Sequence, residues 1–153
     1  MSVAVTWMTK QTIREAARLL GVAIRTDDAT AYLAYMRVRE VIVRVAVDRR
    51  RVVGAIRYVI EGGADYYEIT NVAVAADRRR EGIGRALVES VRAELDDRRP
   101  TLWIPVPEDN MPALAWLRAI GGWEPPTLGL GGEGEPDIVW FKHSIKARKE
   151  VAA

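Results

Sequence analysis

The chain has 153 residues, enough for one domain that buries its own core without disulfide or metal staples. It is 49% hydrophobic and 29% charged, and its 23 basic and 21 acidic residues nearly cancel to +2, whereas a nucleic-acid binder usually segregates its charge more strongly. The absence of Cys excludes disulfides, cysteine-ligated zinc and thiol nucleophiles, and a Ser-His-Asp triad would have to be built around His143, the single histidine. No 18-residue apolar run and no signal-peptide pattern occurs, so a soluble, cytoplasmic protein without a membrane partner is expected.

Val3 to Trp7 alternates and is rich in β-formers, which predicts a first strand. Thr9 or Thr12 can cap a helix whose apolar stripe is Ile13, Ala16, Ala17, Leu19 and Leu20. Thr26-Asp27-Asp28 is a second cap signal, before a helix over 29–39 containing Tyr32, Leu33, Tyr35, Met36 and Val38. Val41 to Asp48 is a β-branched strand, Arg49-Arg50-Arg51 a turn, and Val52 to Ile60 the returning strand. Glu61 to Asp65 forms another turn before the strand Tyr66 to Val74. Gly82 and Gly84 then open a helix with Ile83, Leu87, Val91 and Leu95 on one face. Arg85, Glu89, Arg92 and Glu94 lie on the other, with Arg85 and Glu89 spaced to pair. Thr101 to Val106 is a strand, Asp109 or Asn110 caps a helix that tolerates Pro112 in its first turn, and Gly121-Gly122 ends it. Trp123 to Leu128 and Asp137 to Ile145 are two last strands around a glycine-rich loop. The order β-α-α-β-β-β-α-β-α-β-β implies hairpins early and parallel pairing across the two late β-α-β crossings.

The stretch from Glu68 to Leu95 carries the chemistry. A strand ends at Val74, a basic loop follows, and glycines open a helix, so bare N–H groups at a helix N-terminus are ringed by arginine. Such a site traps anions, and a pyrophosphate is its expected guest. A Walker loop needs a Gly-Lys-Ser/Thr string that is absent. A Rossmann fingerprint needs a third glycine where Leu87 stands. What remains is Arg-x-x-Gly-x-Gly directly after a strand ending Val-Ala-Val.

That pattern, with Arg79, Gly82 and Gly84 at its fixed positions, resembles the acetyl-CoA-binding motif of the GNAT superfamily of N-acetyltransferases. The two-helix entry, the Val52-Val53-Gly54 strand, the Thr101-Leu102-Trp103 strand and the Asn110-x-x-Ala113-x-x-Trp116 helix follow in the family's order. The resemblance runs from Val3 to Ile145 and implies an α/β (α+β) fold: a mixed central sheet of about seven strands with flanking helices, splayed between the fourth and fifth strands. Residues 1–145 would form a single GNAT acetyltransferase domain and 146–153 a basic tail. The implied cofactor is acetyl-CoA (coenzyme A). Beside Arg79, its pyrophosphate would lie against the N–H groups of Arg80, Glu81, Gly82, Ile83, Gly84 and Arg85, each contact worth typically about 0.3–1 kcal/mol at an exposed site. The two glycines would let phosphate approach without a Cβ clash. Val72, Ala73 and Val74 would flank the pantetheine arm, which needs the next strand to swing away. Pro105 and Pro107, which cannot donate to a ladder, stand in and just after that strand. Asn110 would contact the cofactor near its thiol, cap its helix, or do both.

The resemblance makes Glu68 the catalytic base, in the Glu-Ile-x-x-x-Ala-Val spacing of the histone-acetyltransferase branch. A solvent-facing Glu or one paired with Arg57 is the alternative. Apolar neighbours such as Tyr66, Tyr67 and tryptophans would have to raise its pKa, and the N–H of Val74 or its neighbour would hold the oxyanion. Two departures stand out. Leu117 occupies the position of the Tyr that serves many relatives as general acid, and Pro105 occupies that of a Glu in ribosomal-protein N-acetyltransferases. The implied function is N-acetyl transfer to a primary amine of a small molecule or peptide; a non-catalytic acyl-CoA-binding module is the alternative. No metal and no nucleic acid is implied, and a homodimer through the last strands is left open. Tyr32, Tyr35 and Met36 are candidates to line the acceptor pocket. The segment 127–136, too rich in glycine to hold one conformation, is a candidate lid carrying Glu133 and Glu135. Trp103, Trp116, Trp123 and Trp140 are assigned to the core, and His143 to the surface of its strand.

Overall fold

The computed structural model describes residues 2–23 and 28–145; Thr26, Asp27 and the 146–153 tail lie outside them. The elements appear in the expected order: β1 (Ala4–Trp7), α1 (Ile13–Leu20), α2 (Ala29–Val38), β2 (Val41–Asp48), β3 (Arg51–Val59), β4 (Tyr66–Val74), α3 (Ile83–Arg92), β5 (Thr101–Pro107), α4 (Met111–Ile120), β6 (Thr127–Gly129) and β7 (Ile138–Ser144). Asp28 caps α2 by accepting from the Ala31 N–H at 3.0 Å. The β2–β3 hairpin turns on Arg49 and Arg50, both left-handed at φ 49° and 69°, as a tight primed turn demands. β6 is shorter than expected because Pro125 and Pro126 precede it and offer no N–H to a ladder.

One seven-stranded mixed sheet results, in the order β1-β2-β3-β4-β5-β7-β6. Only β4 and β5 pair in parallel, through the crossover helix α3. The second expected parallel pair does not form. β6 lands at the sheet edge and β7 inserts between it and β5, antiparallel to both.

Alternation along the strands sends one set of side chains to α3 and α4 and the other to α1 and α2. Leu87, Val88 and Val91 of α3 and Leu114 and Leu117 of α4 bury against Ile56, Ile69, Leu102 and Phe141. Ile13, Ala16, Leu20 and Met36 of the first two helices bury against Val43, Val45, Val52 and Ala55 on the opposite face. α1 and α2 pack on β2, β3 and β4, and the same face of β5 and β7 receives no helix in either cluster. Among the described residues, no helix is long and apolar enough to cross a membrane.

Candidate active site

β4 and β5 pair only from Tyr66 opposite Thr101 to Glu68 opposite Trp103, and beyond that point they part. Two features hold them apart. Thr70 is an extra residue in β4: Ile69 faces Tyr58 and Asn71 faces Arg57, a bulge that bends the strand. The other feature is on β5. Glu108 N–H donates to Asp137 O and Ile145 N–H to Pro100 O, so the even-numbered backbone groups of β5 point to β7 and the odd-numbered ones to β4. Pro105 and Pro107 therefore remove N–H donors from the edge that faces β4.

The edge left bare on β4 is equally determined. Ala75 N–H donates to Val53 O at 2.8 Å, which turns the odd-numbered residues of this end toward β3. The N–H and C=O of Val72 and Val74 consequently face the gap. Val72, Ala73 and Val74 line a cleft of about 1140 Å³ that continues to Arg79, Arg80, Gly82, Ile83, Gly84 and Arg85 and is closed on the far side by Asn110, Ala113 and Trp116.

At the inner end of the cleft the backbone turns sharply into α3. Arg80 (φ 67°) and Gly82 (φ 82°) are left-handed, and Gly82 caps the helix with no side chain to satisfy it. The first helical bond is Ala86 N–H to Gly82 O, which leaves the N–H groups of Ile83, Gly84 and Arg85 ahead of it without a helical acceptor. A Cβ on Gly82 would meet nothing within 4 Å, so its requirement is conformational. Gly84 has a different reason: a Cβ there would stand 2.7 Å from Cζ2 of Trp116, so this glycine lets α4 close over α3. The arginines divide their work. Arg78 is engaged by Asp48 and Glu81. Arg85 donates to Ala119 O and Ile120 O at the end of α4 and not to Glu89, which pairs with Arg92 instead. Arg79 and Arg80 pair with no carboxylate among the described residues. Asn110 caps α4 by accepting from the Ala113 N–H and also lines the cleft.

Glu68 occupies the last paired position before the strands part. It lines a smaller hollow of about 360 Å³ with Tyr66, Trp103, Thr127 and Trp140. Burial, and secondarily repulsion from Glu61, holds its carboxyl above the ordinary carboxylate value. Arg57 does not neutralise it, because its guanidinium donates to Thr70 Oγ1 at the bulge. Tyr67 faces the opposite side of the sheet, edge-on to Tyr58 in the core.

Several expectations change in three dimensions. Trp103 and Trp140 meet edge to face, with centroids 6.0 Å apart, in the hollow beside Glu68 and not in the core. Trp116 and Trp123 do pack against the core as expected, Trp116 over Gly84 and Trp123 against Phe141 with the Arg92 guanidinium 4.2 Å from its ring. Arg92 is itself buried, and Glu94, just beyond α3, accepts from Tyr58 and Arg44, whereas Arg85 and Glu89 stay exposed. His143 is buried, with Nδ1 2.6 Å from Gly122 O. Met36 belongs to the core, Tyr35 is half exposed, and Tyr32 and Tyr35 stack on each other; none lines the Glu68 hollow. Within the glycine-rich loop, Gly131 N–H donates to the Asp137 carboxylate, and Gly131 sits so tightly against Pro136 that no Cβ fits. Arg18 and Leu19 on α1 also line the large cleft. No motif in the sequence marks them.

Comparison with known proteins agrees with this fold. The model of the acetyltransferase (GNAT) family matches residues 10–121, and the chain belongs to that family. A 58-residue stretch is 40% identical to the [ribosomal protein bS18]-alanine N-acetyltransferase of Escherichia coli K12, covering 37% of this chain and 39% of that enzyme. The match thus spans about two fifths of the length of that curated relative. Among solved structures, the ribosomal-protein-S18-alanine N-acetyltransferase from Escherichia coli superposes with a TM-score of 0.67 at 20% identity, covering 94% of each chain. A GNAT family acetyltransferase from Elizabethkingia anophelis, solved with acetyl-CoA bound, superposes with a TM-score of 0.63 at 15% identity, covering 94% of this chain and 98% of that one. At such identities these two likenesses establish the fold.

Proposed function

We propose that the protein transfers the acetyl group of acetyl-CoA to a primary amine of a small molecule or peptide. The observation that carries this reading is the bare edge of β4, which runs from Glu68 past the gap-facing groups of Val72 and Val74 to the uncapped N-terminus of α3. A pantetheine arm would fit such an edge as an added strand does, held by the gap-facing backbone groups of Val72 and Val74. A pyrophosphate fits the N–H groups of Ile83, Gly84 and Arg85 beside Arg79 and Arg80. Bound there, acetyl-CoA supplies an activated acetyl group.

The chain's own residues supply the rest. The Val74 N–H points into the gap, where it can donate to the acetyl oxygen as negative charge grows on it. Glu68, held above the ordinary carboxylate value, takes the proton that the amine loses as its nitrogen bonds to the acetyl carbon. α4 offers no proton to the departing sulfur, since Leu117 is 2% exposed in the core and carries no hydroxyl. Water supplies it, and a thiol leaves readily as thiolate.

The test is release of coenzyme A thiol across a panel of amines, with Glu68→Gln as control. Turnover that falls by about 10²–10⁴-fold in the variant is expected of a general base. Thermal stabilisation by acetyl-CoA without turnover of any amine would leave a binding module. Unchanged stabilisation in Gly82→Val would remove the pyrophosphate from this loop.

A further inference from the structure

The register of the sheet sets three side chains in one row at the mouth of the gap. Glu68 of β4 is opposite Trp103 of β5, and Trp103 is opposite Lys142 of β7. Residues directly opposite one another project from the same face. The row therefore reads carboxylate, indole, ammonium, with its ends two strand spacings or about 10 Å apart at Cα. It lies on the face that α1 and α2 leave uncovered.

The two charges do not neutralise each other. Lys142 forms no ion pair among the described residues, and its ammonium rests 5.1 Å from the Trp103 ring centroid. Nothing cationic offsets the burial of Glu68. Trp103 lies between the two charges, and Trp140 and Tyr66 extend the apolar floor beside it. A ligand that satisfies the whole row bridges the two charges with an amine toward Glu68 and an anionic group toward Lys142, and carries apolar bulk beside that bridge to rest on the rings.

On this arrangement, and resting on the acetyltransferase reading, we infer that the acceptor is a small aminocarboxylate: an amino acid with a free amine and a free carboxylate and an apolar or aromatic side chain. Its amine lies at Glu68, where β4 and β5 part and the gap delivers the acetyl group. Its carboxylate lies at Lys142, and its side chain packs on Trp103 and Trp140. The amine loses one proton to Glu68 as the C–N bond forms, and the C–S bond breaks with the electron pair leaving on sulfur. A peptide N-terminus carries a neutral amide where the amino acid has its carboxylate, and a polyamine would set a cation against Lys142.

The experiment compares the common L-amino acids, each against its own α-amide, as acceptors with the intact protein. At least one amino acid should be acetylated with a KM about tenfold or more below that of its amide. Lys142→Met should raise the KM for that amino acid to the level of the amide, while its kcat and the KM for the amide move less than twofold. A merely structural lysine would shift both acceptors alike. Binding is read separately, as the amino-acid-dependent rise in Tm with coenzyme A present. Turnover of amides, peptides or polyamines as good as that of amino acids overturns the inference and leaves the acetyltransferase reading intact. Amino acids that raise Tm where their amides do not, without acetyl transfer, sustain the site and overturn the enzyme reading. Amino acids that neither raise Tm nor accept acetyl overturn the site.

Discussion

Gly84→Ala isolates the contact that joins the two helices of the large cleft. A Cβ at position 84 would stand 2.7 Å from Cζ2 of Trp116, and ordinary contact begins near 3.4 Å, so the ring must withdraw by about 0.7 Å. Overpacking of this kind costs about 1–3 kcal/mol. Alanine in place of glycine inside a helix returns up to about 1 kcal/mol. The net expectation is a destabilisation of about 1 kcal/mol, or roughly 2–4 °C in Tm for a chain of this size. Trp116→Leu removes the opposing ring, and in that background the same alanine should be neutral or stabilising. Urea denaturation followed by far-UV circular dichroism on the four proteins of the cycle measures the coupling, expected at about 1–3 kcal/mol. Equal effects of Gly84→Ala in the two backgrounds, or plain stabilisation of the parent, would refute the contact as the reason for this glycine. A phosphate-approach role alone predicts no coupling to Trp116.

Further expectations follow from other contacts. Because burial raises the Glu68 pKa, its favourable contribution is present below the ordinary value of 4.5 and is lost as pH rises through the raised one. Glu68→Gln should therefore melt above the parent at pH 7 while turning over more slowly, and the gap in Tm should close as pH falls below 4.5. Replacing Arg49-Arg50 by Asn-Gly relieves two left-handed non-glycine residues and should add about 1 kcal/mol in urea titration, after the extra freedom of an unfolded glycine is deducted. Glu94→Leu leaves the partly buried Arg44 guanidinium and the Tyr58 hydroxyl without their shared acceptor and should cost about 3 kcal/mol by the same assay.

The elements and the cofactor motif were legible in the chain because both are local. Hydrophobic period, Asx caps and glycine spacing act over a few residues, and the order of strands and helices read from them holds in the structure. Arg79, Gly82 and Gly84 belong to one contiguous loop, so their meeting needed no long-range information. What went astray involved partners distant in sequence. Arg85 is close enough to pair with Glu89 in the helix, yet the carbonyls of α4, some 35 residues on, take its guanidinium. His143 is expected on the surface of its strand, yet it is buried with Nδ1 against Gly122 O, 21 residues away in sequence. Trp116 and Trp123 pack against the core as large apolar side chains usually do, but the odd position of Trp103 on β5, and with it Trp140 on β7, points to a face that neither core cluster covers with a helix.

By itself, then, the sequence determined which segments are strands and helices, where the anion-binding turn lies, and that Pro105 and Pro107 deny hydrogen-bond donors to one edge. Tertiary structure alone decided that this edge faces β4, because the side to which a strand's backbone points is set by its register with β7. The same registers align Glu68, Trp103 and Lys142 across three strands separated by 35 and 39 residues of chain. No local pattern encodes that row; it exists only once the pairings that satisfy the backbone have been made.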